Sequence, residues 1–214
     1  MSYEAEITKP TDGLVSRYIN RKISWRITMF IVKNELPITP NQVSIISFVI
    51  AVLCFPFYLN MNPMFGGILV QASSIIDGVD GELARVTGRV SKVGGFLDAV
   101  LDRLADVIII TGVAIYVLTY EGLDPLSTLI ISFLALSGSL MVSYIHARGE
   151  ATLSVHPSLI GHIRGIATRD IRLFLIFIFS IVCMLRISLI LIAVLSYFYV
   201  ASKLVEVLIE LNRS

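Results

Sequence analysis

Four aspartates, Asp77, Asp80, Asp98 and Asp102, stand at the polar ends of two apolar stretches. Asp77 and Asp80 are three residues apart, and Asp98 and Asp102 are four apart. Each pair can therefore share one helix face. A carboxylate facing hydrocarbon costs roughly 2.5 kcal/mol or more, so these groups must face a wet cavity, a metal or one another. Hard oxygen ligands in this number suit Mg²⁺, Mn²⁺ or Ca²⁺. They are also enough for a two-metal site that clamps the attacking and leaving oxygens of a displacement at phosphorus. Gly81 and Ala84 remove bulk beside Asp77 and Asp80, and Arg85 adds a fixed positive charge suited to phosphate. Helix capping, or ion pairing with Arg85, Arg89 and Arg103, is the competing account, and it explains one pair more easily than both. Asp106 extends the Asp98–Asp102 stripe by a turn and reads as a partner of Arg103 or of a neighbouring helix rather than a ligand. Glu82 falls off the ligand face.

The elements that must position these groups are read from composition. Of 214 residues, 56% are hydrophobic and only 15% charged, against about 25% charged in ordinary soluble chains. The apolar residues come in runs, so the expected fold is an all-α integral membrane protein forming one domain over residues 1–214. A span needs about 20 apolar residues. Six spans are expected: about Asn41 to Leu59, Met64 to Arg85, Phe96 to Tyr120, Pro125 to Arg148, Ile171 to Leu185, and Ile187 to Leu208. Arg186 is read as the turn between the last two.

An even count places both termini on one side. That side gathers Arg17, Arg21, Lys22, Arg26, Lys33, Arg85, Arg89, Lys92, Arg148, Arg164, Arg169, Arg172, Lys203 and Arg213, while the opposite loops carry Arg186 alone. Basic loops stay cytoplasmic, so the termini and the aspartates are expected there. The segment from Thr11 to Glu35 mixes Leu14, Ile19, Ile23, Trp25 and Phe30 with basic residues. It reads as an amphipathic surface helix or as a plain basic flank. Thr39 or Asn41 can cap the first span. No cleavable signal peptide is read in the first 35 residues.

The run Asp77-x2-Asp80-Gly81-x2-Ala84-Arg85-x8-Gly94-x3-Asp98-x3-Asp102 resembles the signature of the CDP-alcohol phosphotransferases. The resemblance implies an integral membrane enzyme that moves a substituted phosphate from a CDP-linked donor to an acceptor alcohol and releases CMP. It implies two divalent ions, Mg²⁺ or Mn²⁺, held by Asp77, Asp80, Asp98 and Asp102. It implies a nucleotide site of Asp77, Asp80, Gly81, Ala84 and Arg85, and Asp102 as the catalytic base. The partners implied are the donor, an acceptor such as inositol phosphate, membrane lipid and a second copy of the chain; no nucleic acid is expected.

Arg172, Arg169 and His146 are the candidates for an acceptor phosphate, although retention of arginines on the inner side would also place them there. In the phosphatidylinositol-phosphate synthase branch a lysine stands where this chain has His146. The Asp77-Gly-x-Asp-Gly-Glu82 wording with Leu101-Asp-Arg103 resembles more closely the di-myo-inositol phosphate phosphate synthase branch, whose donor is CDP-inositol and whose acceptor is inositol phosphate. The alternatives are a phospholipid synthase using CDP-diacylglycerol and, from another class, a divalent-cation transporter. His146, His156 and His162 lack a metal-ligand spacing. Cys54 and Cys183 lie in apolar runs and read as small hydrophobic residues. Ala135, Ser137 and Gly138 can pack helices closely, between protomers or within one.

Overall fold

The computed structural model describes residues 11–122, 124–161 and 165–212; His162, Arg164 and Arg213 lie outside them. A π-helical turn, Ser16–Asn20, runs into helix α1, Arg21–Lys33. Six longer elements follow: α2, Pro40–Leu59; α3, Pro63–Val86; α4, Lys92–Tyr120; α5, Pro125–Leu153; α6, Arg169–Ile181; and α7, Leu185–Leu211. A 3₁₀ turn, Pro157–Leu159, lies between α5 and α6. The described residues contain no strand.

Local chemistry fixes these boundaries. Proline opens α2, α3 and α5, where its missing N–H costs nothing. Thr39 and Gln42 form a reciprocal capping box on α2, which settles the choice between Thr39 and Asn41. The Ser91 hydroxyl accepts from the Gly94 N–H at 3.0 Å and starts α4 at Lys92, four residues before the expected Phe96. Gly88, at φ 67°, lets the chain reverse between α3 and α4.

Two further boundaries differ from the sequence reading. Helix α5 continues past Arg148 to Leu153, so Glu150 sits on the same helix as His146 and Arg148. The turn between α6 and α7 is centred on Cys183, with φ 55°, and Arg186 is already in α7. The Glu121 carboxylate explains the shift. It accepts from the backbone N–H groups of Leu185 (2.7 Å) and Arg186 (3.2 Å), capping the positive end of α7 from a neighbouring segment.

By length and composition α2, α5 and α7 are able to cross a membrane. Helix α6 has 13 residues, short of the ~20 a full crossing needs. In the packing α3 lies between α2 and α6, α4 lies against α2, and α5 lies against α7. Small residues make the close approaches. A Cβ on Gly67 would meet the Ser180 Cβ at 2.4 Å, and one on Gly138 would meet the Ser196 Cβ at 2.9 Å. Gly138 and the fully buried Ala135 are thus used inside this chain, between α5 and α7. The main apolar core, with Tyr58, Val70, Ile109, Val113, Ile176 and Leu189, leaves the polar ends of α3 and α4 free to build a site. Both cysteines are free thiols, Cys54 buried and Cys183 exposed.

Candidate active site

The antiparallel pair α3–α4 brings its carboxylates to one end. Oxygens of Asp77, Asp98 and Asp102 all lie within 4.8 Å of one another. All three side chains are partly accessible, as a metal site with exchangeable ligands requires. Asp80 is more deeply set at 8% exposure. It accepts from the Ser44 hydroxyl and the Gly81 N–H, and its carboxyl is within hydrogen-bonding reach of Asp98.

Two hollows meet at this cluster. The smaller, about 290 Å³, is lined by Asp80, Gly81, Ala84, Arg85, Gly94 and Asp98, together with Asn41, Ser44 and Arg89. Here the N-terminal end of α2, at Pro40 and Asn41, adds partial positive charge, a setting suited to phosphate. The larger, about 980 Å³, is lined by Asp77, Asp98 and Asp102, and also by His146, Arg169 and Arg172. Asp98 lines both. Asp77, Asp80, Gly81, Ala84, Arg85, Asp98, Asp102, His146, Arg169 and Arg172 thus each line one or other of two hollows that share Asp98.

The arginines are less free than their positions in the sequence implied. Arg169 Nη1 is 2.7 Å from Asp102 and 3.1 Å from Asp77, and its Nε is 2.9 Å from Asp106. Arg172 donates to the Ala167 carbonyl at 2.8 Å and to Asp106 at 3.2 Å. Arg103 stands 3.5 Å from Asp102 and 3.9 Å from Asp106. Asp106, 2% exposed and also bonded to Ser139, is thus the anchor of an arginine cluster. This matches its reading as a partner of Arg103, with Arg169 and Arg172 added. His146 Nε2 pairs with the Tyr199 hydroxyl at 2.8 Å, and its ring lies 4.5 Å from that of His156.

Sequence reasoning missed several lining residues. Asn41 and Ser44 share a face of α2 at helical spacing, a polar pair in an apolar helix, which was the available signal. The segment Asp12–Ser16, with Asn20 and Arg21, forms a wall of the larger cavity; its wording from Thr11 to Arg17 with Asn20-Arg21 resembles the di-myo-inositol phosphate phosphate synthase branch, but that likeness does not place it against the cavity. Glu82, off the ligand face as expected, is buried and accepts from Arg21 (2.9 Å), Ser24 (2.7 Å) and Thr28 (2.8 Å). Burial works against the charge on Arg21, but Asp12 and Glu82 outweigh it and raise the guanidinium pKa.

The donor set fits a divalent cation. Three hard carboxylates converge, and a guanidinium already lies against two of them as the compensating positive charge.

Comparisons with known proteins identify the family. The chain is 40% identical over 177 residues to archaetidylinositol phosphate synthase of Pyrococcus horikoshii, covering 80% of this chain and 85% of that one. It is 36% identical over 198 residues to the bifunctional IPC transferase and DIPP synthase of Thermococcus kodakarensis, covering 90% of this chain but 44% of that longer protein. In three dimensions it superimposes on the phosphatidylinositol phosphate synthase of Mycobacterium tuberculosis with CDP-DAG bound. The TM-score is 0.71 at 24% identity, over 87% of this chain and 94% of that one. The same enzyme in complex with manganese and citrate gives a TM-score of 0.69 at 22% identity, over 86% and 88%. Residues 37–205 match the family described as CDP-alcohol phosphatidyltransferase, and the chain belongs to that family of membrane phosphotransferases.

Proposed function

We propose that the chain transfers a substituted phosphate from a CDP-linked lipid to inositol phosphate and releases CMP. The observation that carries the reading is the junction at Asp98 between a small nucleotide-sized pocket and a larger cavity. Gly81 and Ala84 leave room for the nucleotide, and Arg85 with Arg89 faces its phosphates. Asp77, Asp80, Asp98 and Asp102 would hold two divalent ions, Mg²⁺ or Mn²⁺. Bound there, such ions neutralise a diphosphate and make CMP a better leaving group. Asp102 takes the proton from the acceptor hydroxyl. That oxygen then bonds to the phosphorus attached to the donor alcohol, while the bond from this phosphorus to the CMP oxygen breaks. Arg169, Arg172 and His146 face the acceptor phosphate from the larger cavity.

The lipid donor is favoured by the shape of that cavity. It passes between α4 and α5 and reaches Ser137, Leu140 and Met141. Ser137 lies nine residues before His146 on α5, or roughly 14 Å along the helix, an extension that an acyl chain can follow toward the apolar part of the helix. CDP-inositol is the second reading. It is favoured by the Asp77–Glu82 wording and by the name of the DIPP synthase relative.

The same proposal places α2–α7 in the bilayer as six segments, the 13-residue α6 as a short one packed against α3 and α7, with the aspartates and both termini on the cytoplasmic side, supported by the charge asymmetry of the loops. Helix α1 then lies on that surface. It turns Arg21, Ser24 and Thr28 inward and leaves Ile23 and Phe30 exposed, as is Tyr18 of the preceding π-helical turn, an arrangement suited to the lipid interface.

The test is CMP release by the purified chain with Mg²⁺ and inositol 1-phosphate, given either CDP-diacylglycerol or CDP-inositol. Turnover with the lipid alone supports the first reading. Turnover with CDP-inositol alone replaces it with the second, and none with either removes inositol phosphate as acceptor.

A further inference from the structure

One guanidinium ties the ligand helix to the N-terminal wall of the cavity. Arg21, 7% exposed, holds the Asp12 carboxylate through Nε at 3.0 Å and Nη2 at 2.9 Å. Its Nη1 donates to the Gly78 carbonyl at 3.1 Å and to Glu82 at 2.9 Å. Gly78 sits between the ligands Asp77 and Asp80, and a Cβ there would meet Nη1 at 3.2 Å. Glu82, 1% exposed, has Arg21, Ser24 and Thr28 as donors, all on one face of α1.

The other end of the connection reaches α6. The Ser16 N–H donates to Asp170 at 2.6 Å. The Gly13 backbone lies so close that a Cβ would meet the Thr168 hydroxyl at 2.1 Å and Asp170 at 2.2 Å. Between Thr168 and Asp170 stands Arg169, bound to Asp77 and Asp102. The segment Asp12–Ser16 therefore braces the backbone that presents Arg169, and it forms the wall of the cavity on that side.

We infer that Glu82 is a positioning residue, which through Arg21 fixes the Asp12–Ser16 segment as the wall that keeps water from the acceptor side of the cavity. A buried carboxylate with three donors is a costly arrangement to keep unless its partners must stay in place. It lies beyond the ligand set, and the pocket it shapes is the one facing the acceptor rather than the nucleotide. With the wall loosened, water reaches the phosphorus in place of the acceptor hydroxyl. The products are then CMP and the donor's alcohol phosphate, with the same phosphorus–oxygen bond broken. The inference rests on the transfer reaction proposed above, but on neither choice of donor.

The experiment compares the full chain with Glu82→Gln and Asp12→Asn, which loosen the connection from its two ends. Hydrogen exchange of residues 11–20 is read first, because it needs no substrate. Both variants are expected to exchange there about tenfold faster or more. CMP release from the active donor is then followed with and without inositol 1-phosphate. The acceptor KM should rise about tenfold and the acceptor-independent share of CMP release should increase, while CDP affinity changes by less than about twofold. Unchanged exchange at residues 11–20 in both variants overturns the inference whatever the substrates are. So does a fall in kcat and CDP affinity with unchanged acceptor KM and no added hydrolysis, which marks Glu82 as a support of α3 alone. If Glu82→Gln does not fold, Asp12→Asn decides both readouts.

Discussion

Arg169 Nη1 lies 2.7 Å from Asp102 Oδ1, on the carboxylate proposed to take the acceptor's proton. The same nitrogen is 3.1 Å from Asp77. A divalent ion on these carboxylates and the guanidinium compete for the same negative charge. Arg169 thus has two positions to serve, one against the carboxylates and one against an incoming phosphate.

Removing that competitor should tighten the cation site. Arg169→Gln is expected to bind Mn²⁺ about tenfold more tightly in the absence of nucleotide, a change of ~1.4 kcal/mol. Transfer to the acceptor should fall at the same time, because the phosphate-facing charge is gone. Titration of the purified chain with Mn²⁺, followed by electron paramagnetic resonance, reads the first effect. Equal or weaker Mn²⁺ binding in the variant argues that Arg169 supports the carboxylates instead of competing for them.

Asp77 and Asp102 belong to the same carboxylate trio, yet their proposed duties differ. Asp102→Asn is expected to abolish turnover, a loss of about 100-fold or more, while reducing CDP binding less than Asp77→Asn does. Calorimetric binding of CDP with Mg²⁺, beside CMP-release rates, separates the two. An equal loss of binding in both variants removes the base assignment from Asp102.

Much of this site was legible because local spacing encodes it. Aspartates three and four residues apart on antiparallel helices had to converge once the short, glycine-containing turn at Gly88 joined them. Helix starts were equally local, as at Pro40 and Pro125. What the sequence hid was long-range pairing. Glu82 and Arg21 are 61 positions apart, and Arg169 and Asp106 are 63 apart. Nothing near Arg169 shows that its guanidinium is shared among three carboxylates. Lys203 read as a basic residue on the cytoplasmic side, yet it is fully buried, donating to the Ile160 carbonyl and Glu206 at 2.6 Å each. The α6–α7 turn was misplaced for the same reason: its cap, Glu121, comes from 64 residues upstream of Leu185.

Close packing between α3 and α6 sets a stability prediction. Gly67→Ala puts a methyl 2.4 Å from the Ser180 Cβ and 3.2 Å from the Phe177 carbonyl. Neither helix can yield without disturbing the Tyr58–Ser180 hydrogen bond of 3.0 Å. A loss of about 1–3 kcal/mol is expected. Gly95→Ala meets nothing within 4 Å and should change stability by less than about 0.5 kcal/mol. Unfolding of both variants in the same detergent checks the pair, and equal midpoints would show that the α3–α6 contact relaxes freely.

Cys183 offers a native reporter of sidedness. It is exposed in the turn between α6 and α7, at the end remote from the aspartates, whereas Cys54 is fully buried. A buried thiol is slow to react and an exposed one is accessible to reagents. With the aspartates cytoplasmic, a membrane-impermeant maleimide should label intact cells through Cys183 and leave sealed inside-out vesicles unlabelled. Cys183→Ser should abolish the signal, which assigns it to that residue rather than to Cys54. Labelling of inside-out vesicles with intact cells silent would invert the topology and place the carboxylate site on the outer face, away from a cytoplasmic supply of CDP-linked donor.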